Sequence, residues 1–344
     1  ISSRFKVGAD MAIPISGMIK KRHLATALIL VIGAVLLMRV PDFQSIPNPA
    51  KTFDEAKTFF ENLRRNEAKL PLSAEGCSRL LDHGTKTPRA IVLLHGLTNC
   101  PEQFLPLARI LHSLGANVII PRARYAGFAD RLNTIQGNQS GQDLLDQAAV
   151  GLDIAAGLGE RVSVVGISGS AIAGAWMAQH RDGVSEMVLI APFFSLDSVP
   201  APLIDASAAI LSRMPNFYQW WDSQQKENLA GPKYAYPRFS TRCMASTIQL
   251  SRNVRENLAS MPLRAGKIHF LITASDTAAN NPLTKKTAAT LAKTNSAHVT
   301  IEEFPAELKI PHDMVDPFQP HANTEIAYKK ILELLDMNDS TSVE

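Results

Sequence analysis

Three side chains can carry nucleophilic chemistry if the fold brings them together: Ser168, Asp276 and His312. Serine is a weak nucleophile at its own pKa and needs a base beside it. Histidine is that base, and a carboxylate must orient the ring and stabilise its charged form. Ser168 stands in Gly166-Ile167-Ser168-Gly169-Ser170. The β-branched run from Val162 to Ile167 reads as a buried strand, and Ala171 to Ala178 reads as a helix. A strand, a tight turn with a central serine and a helix make the layout of a nucleophile elbow. Such a turn strains the serine backbone and needs small residues two places before and two places after it. Gly166 and Ser170 fill those places, so the usual G-x-S-x-G becomes G-x-S-x-S. Taking Ser170 as the nucleophile fits worse, because Ser168 rather than glycine would then precede it at the tight position. By itself the pentapeptide also fits a glycine-rich turn without chemistry. It gains meaning only with a base, an acid and an oxyanion site in the right order.

The elements around it supply that order. Ser78 to His83 reads as an early strand, and Ala90 to Leu94 as a central strand that ends at His95-Gly96-Leu97-Thr98. Pro101 to Leu114 reads as a helix with proline in its first turn. Asn117 to Pro121 is the next strand, Arg122 to Asn138 a long loop, and Asp143 to Leu158 a helix. After the elbow come a strand over Glu186 to Ala191, a strand over Lys267 to Ala274 that ends at Ser275-Asp276, and a helix over Pro282 to Lys293. A strand over His298 to Phe304 follows, then a loop with Pro311-His312-Asp313 and a closing helix over Asn323 to Leu335. Repeated strand–helix units predict a mostly parallel sheet covered by helices on both faces. Each candidate group follows the carboxyl end of a strand, where such sheets place their sites. The order serine, acid, histidine is the one expected of an elbow serine. Asp197, after the strand that follows the elbow, is the alternative acid.

Residues 192–265 break the alternation with Pro200, Pro202, Pro215, Pro232 and Pro237 among their prolines, the pair Trp220-Trp221, and Tyr218, Tyr234 and Tyr236. The segment reads as an insertion over the carboxyl edge of the sheet. It is either a lid that lines an acyl or alcohol pocket or a cap whose aromatics bury one another. Phe128, Met244 and Trp220 are candidate lining residues.

The chain resembles the α/β-hydrolase fold, in particular its monoacylglycerol-lipase-like and small bacterial carboxylesterase branch. The resemblance rests on His95-Gly96-Leu97-Thr98, Gly166-Ile167-Ser168-Gly169-Ser170, Ser275-Asp276 and Pro311-His312-Asp313, in that order, and covers Ser78 to Leu335. It implies a Ser168–His312–Asp276 triad and an oxyanion hole made by the backbone N–H groups of Leu97 and Gly169. Two preorganised donors there stabilise the negative oxygen of a tetrahedral intermediate. It implies that His95 holds its loop, and that Asp313 is a turn or cap residue. The expected reaction is carboxylester hydrolysis through a covalent acyl-enzyme, on a small ester with an apolar acyl or alcohol part and with no metal or organic cofactor. Peptide, amide or thioester hydrolysis on the same triad is the alternative, since function lives in the pocket and not in the fold. A non-catalytic binding protein would have lost a triad member, and none is missing.

Composition sets outer limits. A chain of 344 residues with 46% hydrophobic and 19% charged residues is that of a globular protein. The net charge of +3 comes without a basic cluster interleaved with aromatics, so nucleic-acid binding has no support. At the N-terminus Lys20-Lys21-Arg22 precedes an apolar run from Leu24 to Met38, closed by Arg39. A signal anchor is the expectation, with membrane contact through this segment and an exported catalytic domain; a cleaved signal peptide, giving a secreted or periplasmic protein, is the alternative. Pro41 to Pro49 reads as a linker, and Thr52 to Leu70 as an amphipathic helix between membrane and domain. The domains expected are thus an anchor and linker over 1–50, a hydrolase domain over 51–337 with its insertion at 192–265, and a disordered tail from 338. Three cysteines, Cys77, Cys100 and Cys243, allow either one Cys77–Cys100 disulfide or three separate thiols.

Overall fold

The run Thr87–Leu94 forms strand β2, whose residues Ala90 to Leu94 are all buried. Ala90, Val92 and Leu94 join one apolar core, and Ile91 and Leu93 join another on the opposite face. A strand buried on both faces must be apolar throughout, which is why these runs show no alternation. The computed structural model describes residues 41–337 apart from 227, 230, 295–297 and 321, together with 23, 25, 26 and 28–33.

Seven strands form the main sheet. They are β1 (Arg79–Leu81), β2, β3 (Asn117–Ile120), β4 (Gly159–Ile167), β5 (Val184–Ile190), β8 (Lys267–Thr273) and β9 (Val299–Phe304). Their order is β1-β3-β2-β4-β5-β8-β9; β1 is antiparallel to β3 and every other pair is parallel. From β2 the chain goes outward to β3, then crosses back to β4 and outward again through β5, β8 and β9. The order therefore reverses between β2 and β4, and a crevice opens above the carboxyl ends of strands at such a switch point.

Helices cover both faces. On one side lie α1 (Phe53–Glu67), α3 (Gly141–Leu158) and α4 (Ser168–His180); α2 (Leu105–Ser113) and α8 (Thr324–Leu334) lie on the other. Ser140 and Asp143 start α3 with a complete capping box. Helix α4 is buried along its whole length except for Ser168 and His180, so its sequence is apolar all round. Between β5 and β8 the insertion supplies α5 (Ile204–Leu211), a two-stranded hairpin of β6 (Tyr218–Trp220) and β7 (Arg238–Ser240), and the long α6 (Thr241–Asn257). Helix α7 (Asn281–Thr294) joins β8 to β9.

The N-terminal expectation is corrected. Among the described residues no helix is long and apolar enough to cross a membrane. A crossing needs about 20 apolar residues, and the run from Leu24 to Met38 is shorter. A membrane-crossing signal anchor, the membrane contact it would give and a membrane-tethered location therefore do not stand. Lys20 to Arg22 and the end of the run lie outside the described residues, as does the tail from 338. Helix α1 turns its apolar face to the body of the fold: Ala56 is buried, and Phe53, Phe59, Phe60 and Leu63 pack on the core shared with α3. The proline-rich stretch before it is a docked strap. The Ala50 N–H donates to Asp153 O at 2.8 Å, the Asn48 N–H donates to the Asp153 carboxylate at 3.2 Å, and Phe43 is buried. All three cysteines are free thiols.

Candidate active site

Ser168 is the first residue of α4 and has φ +57°, a left-handed conformation that a serine holds only under constraint. The constraint is packing. A Cβ on Gly166 would lie 3.2 Å from Ala171 Cα and from Ser170 O, so a larger residue would push the turn open. The fifth place of the elbow has its own reason to be serine. Ser170 is fully buried, and its Oγ lies 2.6 Å from His95 O, to which it donates, and 3.0 Å from Gln147 Oε1. A glycine there could not tie the elbow to the loop after β2.

His312 and Asp276 arrive from the two outer strands. Asp276 follows β8, and its Oδ2 accepts from His312 Nδ1 at 2.7 Å. Its other oxygen accepts from the Ala278 and Ala279 N–H groups at 2.8 and 3.0 Å. Burial alone would raise this carboxyl; the facing imidazole and the three hydrogen bonds outweigh it and hold the group below its ordinary range. Burial likewise disfavours a charged His312, but the Asp276 carboxylate reverses the balance and raises the ring above its ordinary value. Asp197 is exposed and makes no contact of this kind.

Ser168 and His312 line one cavity of about 440 Å³ above the switch point, together with Gly96, Leu97 and Gly169. Among the described residues no hydrogen bond joins Ser168 to His312. Leu97 and Gly169 are neighbours: a Cβ on Gly169 would touch Leu97 Cβ at 3.6 Å. Among the described residues neither of these two N–H groups donates a hydrogen bond. The structure thus brings Ser168, His312, Leu97 and Gly169 to one cavity, with Asp276 directly behind His312.

The walls come mainly from the insertion. Met244 lines the cavity, as do Trp221 and Tyr236. Phe128 and Trp220 do not. Phe128 bridges to Leu72 in an isolated β-bridge, and Trp220 lies under the Arg238 guanidinium. In a hairpin, adjacent residues face opposite ways, so the tryptophan pair splits, and Trp221 is the one that reaches the cavity.

Several supporting residues carry no mark in the sequence. Buried Gln103 accepts from the Gly96 N–H at 2.8 Å and donates to Asp313 at 3.0 Å, linking the loop after β2 to the His312 loop. Asp313 also accepts from Gln319 at 2.6 Å, and burial raises its carboxyl. Tyr234 of the insertion donates to Asp316 at 2.7 Å; burial pushes that carboxyl up to about 6. Glutamine and tyrosine at such places read as ordinary polar residues, and only proximity across the fold reveals the links. His95 is fully buried, donating from Nδ1 to Gly96 O at 2.9 Å and accepting at Nε2 from the Ala123 N–H at 3.0 Å. Burial drops its pKa to about 4, so it is a neutral brace.

The chain belongs to the α/β-hydrolase fold family, whose sequence model matches residues 89–266, just over half of the 344 residues. No curated protein matches it in sequence. Among solved structures it is similar to a monoglyceride lipase from Saccharomyces cerevisiae, at 14% identity and a TM-score of 0.56, over 76% of this chain and 92% of that one. It is similar also to the monoacylglycerol lipase of Paleococcus ferrophilus, at 16% identity and a TM-score of 0.55, over 76% and 98%. A third likeness is to a structure from work on LipS and LipT, two metagenome-derived lipolytic enzymes, at 12% identity and a TM-score of 0.55, over 78% and 100%. Likeness at these identities speaks for the fold and not for the reaction.

Proposed function

We propose that the chain is a serine carboxylester hydrolase working through a covalent acyl-enzyme. Ser168 Oγ attacks the ester carbonyl while His312 Nε2 takes its proton. Asp276 fixes the ring with Nδ1 protonated, so that Nε2 is the basic nitrogen, and stabilises the imidazolium as it forms. The N–H groups of Leu97 and Gly169 receive the negative oxygen of the tetrahedral intermediate. His312 then gives its proton to the leaving alcohol, and the alcohol departs. Water enters, His312 takes a proton from it, and the hydroxide attacks the acyl carbonyl; as the second tetrahedral intermediate collapses, His312 returns the proton to Ser168 Oγ and the acid leaves.

The observation that carries this reading is the 2.7 Å bond from His312 to Asp276, beside a left-handed Ser168 that opens on the same cavity. The volume of about 440 Å³ falls in the range of small-molecule sites. Phe193, Trp221, Pro232 and Met244 give it an apolar wall, which favours esters with an apolar part, and the insertion serves as the lid. The experiment is hydrolysis of p-nitrophenyl esters of rising acyl length by the parent protein and by Ser168→Ala. Turnover that falls by about a thousandfold or more in the variant supports the triad. Equal rates in both proteins overturn it. Cleavage of thioester or amide analogues in preference to esters moves the substrate class and leaves the triad in place.

A further inference from the structure

Thr98 follows Leu97 directly, and the insertion grips it twice. The Tyr236 N–H donates to Thr98 O at 2.8 Å, and the Trp221 indole N–H donates to Thr98 Oγ1 at 3.0 Å. Trp221 is itself fixed. Its own N–H donates to Pro237 O at 3.1 Å, and its ring leans on Phe239 with centroids 4.4 Å apart. Tyr236 is anchored at its far end, where its hydroxyl donates to Tyr125 O at 3.0 Å and accepts from the Phe128 N–H at 3.2 Å. The hairpin of β6 and β7 is therefore a fixed frame, and Thr98 hangs from it. On its other side Leu97 is bounded by Gly96, whose N–H is held by Gln103. The peptide that carries the Leu97 N–H has Gly96 O as its carbonyl, which accepts from His95 Nδ1 at 2.9 Å and from the Asn99 N–H at 3.1 Å; that Asn99 N–H shares its peptide with the gripped Thr98 O, so the Thr98 grip sets the direction of the Leu97 N–H in part.

We infer that Trp221 has two separable roles: its ring walls the substrate cavity, and its indole N–H, through Thr98 Oγ1, is a positioning group for the Leu97 N–H. The inference rests on the ester-hydrolase reading, in which that N–H stabilises the oxyanion. The ring contributes to binding of substrate and transition state alike and therefore acts on KM and chain-length preference. The hydrogen bond acts on the geometry met only in the transition state and therefore acts on kcat. Losing an oxyanion donor outright costs about 100- to 1000-fold in kcat. Loosening one by a few tenths of an ångström, with the Tyr236 grip intact, is expected to cost about 3- to 10-fold.

The test is a double-mutant cycle on p-nitrophenyl esters. Trp221→Phe keeps a ring and removes the donor, Thr98→Val keeps the shape and removes the acceptor, and the double variant lacks both. The expected result is a 3- to 10-fold fall in kcat for each single variant, about the same fall for the double, and a small change in KM. Thr98→Ser restores kcat, and Trp221→Ala changes the chain-length profile while Trp221→Phe keeps it. Additive losses, or a Trp221→Phe variant with the parent's kcat, overturn the inference while Ser168-dependent turnover leaves the ester-hydrolase reading intact. A parent protein without Ser168-dependent turnover overturns both. Circular dichroism of each variant identifies misfolding, and a misfolded Thr98→Val is replaced by Thr98→Ala in the same cycle.

Discussion

His312 and His95 sit in adjoining loops with opposite protonation behaviour, and the difference is one of partners. Both are desolvated. His312 faces the Asp276 carboxylate and is raised, whereas His95 faces a carbonyl and an N–H and falls to about 4. In the proposed reaction His312 must be neutral to accept a proton from Ser168. Because its pKa is raised, kcat/KM should climb with pH to a midpoint above the ordinary histidine value of about 6.5. Asp276→Asn removes the attraction that raises the ring and leaves the burial that lowers it. The rate should then fall by about 10³- to 10⁴-fold, and the midpoint of the residual activity should move down. Initial rates from pH 5 to 9 check both; a midpoint that stays put in the variant would separate Asp276 from the base. His95 enters stability instead. Its folded pKa lies below the unfolded one, so the unfolded state binds more protons between about 4 and 6.5 and stability declines as pH falls through that window. The loss is on the order of 3 kcal/mol at full protonation. Thermal melts from pH 4 to 7 should show it in the parent and show a shallower slope in His95→Gln.

At the scale of elements, the strands and their site-bearing ends were legible because a buried parallel strand is a plain apolar run that stops at a loop. The four motifs follow β2, β4, β8 and β9 as the sequence predicts, and Asp276 rather than Asp197 meets His312. The hairpin of β6 and β7 was not legible. Its strands are three residues each and far apart in the chain, and they are held by Thr98, Arg131 and the loop after β3 rather than by their own propensity. Helix α6 lay hidden in the same segment. Its buried positions include Thr247 and Ser251, the latter donating to Phe194 O at 2.7 Å, and polar residues of this kind blur an apolar stripe. The prolines make the strap before α1 resemble a linker, whereas its backbone bonds to Asp153 leave no mark in composition. Gly157 tests that strap. A Cβ there would lie 2.3 Å from Thr52 O and 2.9 Å from Ala56 Cβ. Alanine favours a helix by about 1 kcal/mol over glycine, but overpacking against backbone costs about 1–3 kcal/mol. The clash should win, so Gly157→Ala should melt several degrees below the parent. A higher melting temperature would mean that the strap gives way at no cost.

For the whole molecule, the question is where the hydrolase body begins. Among the described residues, the two large apolar cores take their first buried member at Phe43, and none comes earlier. A protein starting at Val40 should therefore keep the parent's melting temperature within about 2 °C, since a shift of that size corresponds to under about 1 kcal/mol. One starting at Leu70 should not. It loses Phe43, Ala50, Ala56 and the aromatic face of α1 from the core, and it loses Glu67. That carboxylate is buried, accepting from the Ser78 N–H and hydroxyl at 3.0 and 2.5 Å and from Arg122 at 3.3 Å. Without it Arg122 keeps a largely buried charge with no carboxylate, and stranding one half of a buried pair costs about 3–5 kcal/mol. Arg122 also precedes Ala123, whose N–H braces His95 and through it the loop of Gly96 and Leu97. The damage from the shorter form should thus reach the oxyanion side of the site as well as the melt. Titrating Ser168, the proposed nucleophile, with a fluorophosphonate reports the first, and a thermal scan reports the second. Full labelling and an unshifted melt in the form starting at Leu70 would show that strap and helix are accessories. A lowered melt with slowed labelling, absent in the form starting at Val40, would make residues 43–67 part of the machinery that holds the site.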